Sequence, residues 1–506
     1  MTAAVALLYV ALLIGKLAAA GRDLFGDEAF YWMCAQRLDV AFADHPFMTA
    51  LLARGGVELL GPTPIGLRIA FIACGALLPV LVWLLARPVV GARDAWCAAG
   101  LSLCAPATAH LGVIAIPDVP LMLFGALALV GFERATRTGS TGAWLVAGLG
   151  CALALSTHYR GVLFPFAFGC FLVGTRSGRA RLRTGRAWAA LGVALLGLLP
   201  VVLYNLRLDW APLKYQGSER HSGGFDVEGL LEHLPAQAAV VTPALYVACL
   251  AALVSLLRRW RRGDERAALF ATFALAHLGL FLVTSPIADS EHATVHWPAP
   301  GYLPLLVFVP GVVRDWVARA ADAAARRRRT IGAALVPGIG LVGLAFVFVE
   351  WSTGWPGYGP LHRPFAGWAD AVAATERHLD EVAPGPDGRV LVVADDYLLA
   401  GNLEMRLGDR VEVFVLDHPK NVAHGRQKQY ALWRLDEAGL RERRAGRDAL
   451  LVFDRDQGRS RTWDEWRAHG DAVFARAVEL EAVHAEGKRP ERPRFFVVRG
   501  EGVRGE

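Results

Sequence analysis

Carboxylates in aromatic surroundings are the residues of this chain best suited to proton transfer. Gly26-Asp27-Glu28-Ala29-Phe30-Tyr31-Trp32 places two acids directly after an apolar run, followed by three aromatics. A carboxylate near a reduced dielectric can accept a proton if its charge is compensated. The alternative for Asp27 is a solvated helix cap with the aromatics anchoring an interface. Asp44-His45-Pro46-Phe47-Met48 follows, and its Asp44 and His45 form either a turn or half of a metal site. Ile116-Pro117-Asp118-Val119-Pro120 holds an acid between two prolines, which restrict the backbone on both sides. Asp118 is therefore a functional candidate, with capping of the next helix as the other reading.

A second group of residues could bind an anion. Ser156-Thr157-His158-Tyr159-Arg160-Gly161 joins two apolar runs, and Arg207, Lys214-Tyr215 and Arg220 lie in the loop 205–235. Guanidinium and ammonium groups are the natural ligands of phosphate. Val295-His296-Trp297-Pro298 opens a later run; Trp297 suits an interfacial belt better than catalysis. His45, His292 and His296, with nearby carboxylates, leave a divalent metal open, but no spacing commits to a ligand set, and no metal or other cofactor is assigned.

These residues must be held by a membrane-embedded scaffold. The 506 residues are 54% hydrophobic and 20% charged, which excludes a disordered chain and argues against an ordinary cytosolic enzyme. Eleven apolar runs are expected to span: 3–20, 67–86, 95–116, 119–132, 143–156, 161–174, 187–204, 236–257, 267–284, 297–313 and 331–349. Three of them are 14 residues long, short of the roughly 20 a span needs, so they extend into polar flanks or are partly re-entrant. The first run lacks a basic leader and reads as an uncleaved span. Seven scattered cysteines, none beyond Cys249, offer neither a disulfide framework nor a zinc knuckle.

Arginine placement sets the expected orientation. With the N-terminus inside, the inner loops carry Arg87, Arg93, Arg134, Arg137, the five arginines of 175–186, the cluster at 258–266 and the run at 314–329. The four consecutive arginines 326–329 are then a topology anchor, and no nucleic-acid partner is expected. Asp27, Asp44, Asp118, Arg160 and Lys214 all fall in outer loops. The first outer loop, 21–66, is far longer than a connector needs.

Beyond residue 350 the composition changes. A Gly/Pro-rich linker at 354–360 precedes apolar, β-rich runs at 389–394, 411–416, 449–453 and 494–498, separated by helix-like stretches at 366–382 and 431–445. The expected organisation is a transmembrane domain 1–350 and a soluble α/β domain 351–506 with a largely parallel sheet, lying outside the cytoplasm. That domain shows no phosphate-binding glycine motif.

Together the Asp-Glu-Ala-Phe-Tyr-Trp stretch, Asp-His-Pro, Pro-Asp-Val-Pro, His-Tyr-Arg-Gly and His-Trp-Pro-Ala-Pro-Gly-Tyr-Leu resemble bacterial glycosyltransferase family 39 over roughly 20–310, with a weak recurrence at Gln429-Tyr430-Ala431-Leu432-Trp433. Such proteins are similar to protein O-mannosyltransferases and the lipid A aminoarabinose transferase. The resemblance implies a GT-C fold in the bacterial cytoplasmic (inner) membrane. It also implies transfer, with inversion, of a sugar from a polyprenyl-phosphate donor to a lipid, glycan or protein acceptor. Asp27 would correspond to the acid that activates the acceptor, with Glu28 and Asp118 beside it as catalytic candidates. Arg160, Lys214, Arg207, His158 and Tyr159 would serve the donor phosphate, and Asp44, His45, His296 and Trp297 the substrate site. Related sequences often carry Ser-Lys-Tyr where this chain has Thr157-His158-Tyr159, so Arg160 would replace the lysine. The rival readings are a lipid or glycan transporter or flippase, which calls for ionisable residues within spans, and a non-catalytic envelope scaffold.

Overall fold

The computed structural model describes residues 2–109, 111–214, 225, 227–286, 295–353, 367–455, 463–485 and 492–505. The linker at 354–360, Tyr215, Arg220 and His292 lie outside the described residues. The chain divides into two compact units: residues 1–18, 45–49 and 70–348 form the first, and residues 19–44, 50–69 and 349–506 the second. The long first loop is therefore shared, with most of it belonging to the second unit.

The first unit is helical. The eleven apolar runs fall largely on helices, yet only five helices among the described residues are long and apolar enough to cross a membrane, or eight if each of three bent pairs counts as one span. Pro64–Cys104 contains the run at 67–86 and the first part of that at 95–116, and breaks at Gly91, whose φ of 83° belongs to the left-handed region. The run at 161–174 belongs to a pair bent by 107°, and that at 297–313 to one bent by 55°.

Small residues set how closely these helices approach. A methyl group placed on Gly131 would lie 2.5 Å from the Ala147 backbone nitrogen, and one on Gly150 equally close to that of Ala128. Asp118–Thr138 and Thr141–Leu155 therefore pack backbone to backbone, as lipid-immersed helices do when small residues line the seam. Gly139, in the left-handed conformation, ends the first helix, and the Ser140 hydroxyl caps the second by accepting from the Ala143 N–H at 3.4 Å.

The second unit carries a five-stranded sheet. Its strands are β1 (Val390–Ala394), β2 (Val411–Val415), β3 (Ala449–Asp454), β4 (Phe474–Val483) and β5 (Phe495–Val503), in the order β2-β1-β3-β5-β4. The first three are parallel, and their mostly apolar sequences, with Glu412 inside β2 and Asp454 closing β3, are buried throughout. The expected largely parallel sheet is thus only partly so: β5 runs antiparallel to β3, and β4 antiparallel to β5. Strand β4 has no counterpart among the expected runs because Arg476, Glu479 and Glu481 interrupt its apolar pattern, and its register shifts between Glu479 and Glu481.

The crossover from β1 to β2 positions the site. Asp396 caps helix Tyr397–Leu407 by accepting from the N–H groups of Leu398 and Leu399 at 2.9 and 3.0 Å. Burial and neighbouring acids push the adjacent Asp395 carboxyl well above the usual range. Burial also opposes ionisation of Asp396, but the Lys420 ammonium, 3.1 Å away, holds it below that range. Helix Glu28–Gln36 packs on Tyr397–Leu407 at Gly401, where a side chain would collide with the Ala29 carbonyl.

Candidate functional site

Asp27 stands at the N-terminus of helix Glu28–Gln36, and Glu28 is its first residue. Their side chains meet opposite fates. Glu28 is fully buried, its Oε1 accepting from Arg68 Nε at 2.8 Å and its Oε2 from Arg68 Nη2 at 2.5 Å and the Phe25 N–H at 2.7 Å. Arg68 spends its remaining donors on the carbonyls of Ala20, Arg22 and Asp23 at 2.7–2.9 Å. This clamp closes the first loop on itself, and the catalytic role expected of Glu28 has no free oxygen to act through.

The Asp27 side chain keeps 42% exposure. Its Oδ1 accepts from the Tyr397 hydroxyl at 3.0 Å and from Arg426 Nη2 at 2.9 Å, while Oδ2 has no partner among the described residues. Arg426 is buried, ion-pairs Asp44 as well as Asp27, and lies with its guanidinium carbon 4.2 Å from the Phe30 ring centre. Aromatic faces and two carboxylates thus hold one charge rigidly. Burial raises the proton affinity of Asp27, but Arg426 and His424, with the hydrogen bonds from Arg426 and Tyr397, hold its carboxyl well below the usual range. Burial first, then the nearby Asp27 charge, pushes the Tyr397 phenol well above its ordinary range, so it stays a neutral donor.

In the first unit, other expected site residues come together around Asp118. Its Oδ1 accepts from Arg160 Nη2 at 2.7 Å, and His296 Nε2 lies 3.3 Å from the same oxygen. Arg160 stacks 5.1 Å from the Trp297 ring centre and donates to the Trp297 carbonyl at 3.4 Å. His158 Nδ1 accepts from the Arg160 N–H at 3.0 Å, fixing the turn, and the His158 ring meets that of His45 edge-on at 4.9 Å. Arg160 is committed to Asp118 and Trp297, yet its buried Nε has no partner among the described residues.

Tyr159 is half-buried near Asn205, while Arg207 and Lys214 are exposed at the ends of helices Leu199–Arg207 and Ala211–Lys214. Asp44 is placed with Arg426 in the second unit and His45 with His158 in the first. Among the described residues no three His, Cys, Asp or Glu side chains group to hold a metal ion. Arg68, Tyr397 and Arg426 were not singled out as site residues; only Arg68, a charge opening an apolar run, carried a local signal.

Residues 44–204 match the family model described as dolichyl-phosphate-mannose-protein mannosyltransferase. Lipid A galacturonosyltransferase RgtD of Rhizobium johnstonii is 28% identical over 285 residues, covering 56% of this chain and 59% of that protein. The chain thus aligns with less than two thirds of that relative. The structure of ArnT from Cupriavidus metallidurans bound to undecaprenyl phosphate superposes with a TM-score of 0.66 at 15% identity, over 99% of this chain and 98% of ArnT. Its apo state gives 0.62 at 15% identity, over 98% of both chains. The resemblance to family 39 glycosyltransferases of the GT-C type is borne out, and the fold is that of ArnT.

Proposed function

We propose that the chain is a polytopic membrane glycosyltransferase that moves a sugar from a polyprenyl-phosphate carrier to a lipid, glycan or protein acceptor. The reaction takes place at the outer face of the bacterial cytoplasmic membrane, and residues beyond 350 are extracytoplasmic. The observation that carries this reading is Asp27: a partly exposed, ionised carboxylate with one oxygen pinned by Arg426 and Tyr397 and the other open. RgtD, an enzyme named for lipid A, and ArnT, seen with undecaprenyl phosphate, support a carrier-linked donor and favour a lipid acceptor.

The chemistry follows from that geometry. The acceptor hydroxyl donates to Asp27 Oδ2, which takes its proton as the oxygen bonds to the anomeric carbon and the carrier phosphate leaves on the opposite face. Its depressed proton affinity makes Asp27 a weak base in the ground state, so transfer accompanies bond formation rather than preceding it. The phosphate leaves as an anion and needs cations in place of a second carboxylic acid. Arg160, Arg207 and Lys214 supply them, and the Asp118–Arg160–His296 cluster holds Arg160 in place. Asp118 is then a positioning group.

Two experiments test this. Mass analysis of envelope glycolipids from a deletion strain is expected to show the loss of one sugar substituent; an unchanged profile of glycolipids and glycoproteins would overturn the activity. Cysteines at Asp380 and Glu442 are expected to react with a membrane-impermeant reagent in cells whose inner membrane is intact. Reaction only after that membrane is ruptured would reverse the orientation and the side on which the chemistry occurs.

A further inference from the structure

The second unit holds a cavity of about 700 Å³ that the Asp27 network does not use. That size falls within the range of small-molecule sites. Trp32 and Gln36, one turn apart on helix Glu28–Gln36, line it together with Trp433 and Arg37. Asp27 precedes Trp32 by five positions, about 140° around the helix, so the cavity and the catalytic carboxylate occupy different faces.

Three features define what this cavity would hold. The first is an unused donor. Trp32 is 4% exposed, and its indole Nε1 has no acceptor among the described residues; the Gln36 Nε2 is likewise buried without one. Buried donors of this kind ordinarily find a partner. The second is a fixed aromatic surface. Phe30, Phe42 and Tyr430 surround Trp433 with ring centres 5.5–6.3 Å away, and the Arg37 guanidinium carbon lies 5.5 Å from its ring centre.

The third is a balanced polar lining. Arg37 makes a two-pronged pair with Glu404 at 2.9 and 2.7 Å, and Arg443 lies 3.7 Å from Glu412. In all, four arginines face four carboxylates around the cavity. Such pairs present fixed donors beside fixed acceptors with no net charge for an isolated phosphate to neutralise.

Apolar ring faces alternating with hydroxyls that both donate and accept are the property of a saccharide. We infer that this cavity binds the carbohydrate part of the acceptor, two sugar rings or so, through Trp433 stacking and hydrogen bonds to Trp32 Nε1, Gln36 and the Arg37–Glu404 pair. This rests on the glycosyltransferase reading for the identity of the acceptor, while the binding itself is independent of catalysis.

The test uses the full chain in lipid nanodiscs, without donor, titrated calorimetrically with maltose, the acyl-free glucosamine disaccharide headgroup of lipid A, and inorganic phosphate. Saturable binding of a disaccharide and none of phosphate is expected. Trp433→Ala is expected to weaken it about tenfold or more, and Trp32→Phe, which keeps a ring and deletes the N–H, by a few-fold. In turnover the same variants are expected to raise the acceptor KM with kcat unchanged. Asp27→Asn is expected to bind the disaccharide as wild type does. The inference is overturned if neither disaccharide binds, if phosphate competes for the site, or if both tryptophan variants bind like wild type. Binding that survives with no transfer by any donor would sink the catalytic reading instead, so the two failures are distinguishable.

Discussion

Asp118 in the first unit and Asp27 in the second are built alike, each at the start of a helix and each paired with an arginine far away in sequence. They differ in access. The Asp118 side chain is 10% exposed, that of Asp27 42%. In both, the side-chain partners crowd one oxygen, Oδ1, so the difference is that the second oxygen of Asp27 lies on a far more exposed side chain. Glu28 is the limiting case, next to Asp27 in sequence yet saturated by Arg68. On the proposed mechanism it is an accessible, unoccupied oxygen, rather than the acidity of the motif, that singles out Asp27.

The contrast is sharpest where an ion pair is sealed. Arg68→Met is expected to cost about 3–5 kcal/mol of stability by stranding the buried Glu28 charge, seen as lost thermal unfolding cooperativity or poor recovery in detergent. A variant as stable as wild type would show that the clamp is dispensable. Asp118→Asn keeps the shape and loses the charge; a milder loss of about 1–3 kcal/mol is expected. The donor KM should rise with it as Arg160 loosens, and an unchanged donor KM would detach Asp118 from positioning. Lys214→Met is expected to weaken donor use by about 1–3 kcal/mol without affecting stability, and equal donor saturation would remove Lys214 from the phosphate site.

The smallest effect concerns protons. Because the folded Asp27 carboxyl lies well below the usual value near 3.9, its ionised form contributes stability that is fully present above that value. The contribution is lost only as pH falls through the lower folded value. Wild-type kcat/KM is therefore expected to show no acid limb from Asp27 above about pH 4. Tyr397→Phe deletes one hydrogen bond to the charged form and should move that limb upward. A limb that does not move would mean Tyr397 does not set the ionisation.

Much of the site was legible because its aspartates sit in short motifs with local constraints: prolines around Asp118, an apolar run before Asp27. The partners were not. Tyr397 and Arg426 lie 370 and 399 residues from Asp27, and nothing local in Asp396-Tyr397-Leu398 or Gly425-Arg426-Gln427 marks them as its ligands. The motif that holds Asp27 also holds Glu28, and only the folded structure separates the exposed carboxylate from the buried, Arg68-paired one. In the fold, apolar runs located the helices, but the break at Gly91 and the bent pairs depend on packing that hydropathy does not encode. Strands β1 to β3 announced themselves as short, mostly apolar runs, whereas β4, its apolar pattern broken by Arg476, Glu479 and Glu481, did not.

Asp27→Asn tests the central claim most directly. Asparagine keeps the size and accepts the Tyr397 and Arg426 hydrogen bonds but cannot take a proton. With purified protein, a defined polyprenyl-phosphate sugar and a defined acceptor, kcat is expected to fall about a hundredfold to ten-thousandfold, with donor binding and thermal stability close to wild type. Turnover near the wild-type rate in a folded, donor-binding Asp27→Asn protein would contradict the account and move the search for the base to Asp118.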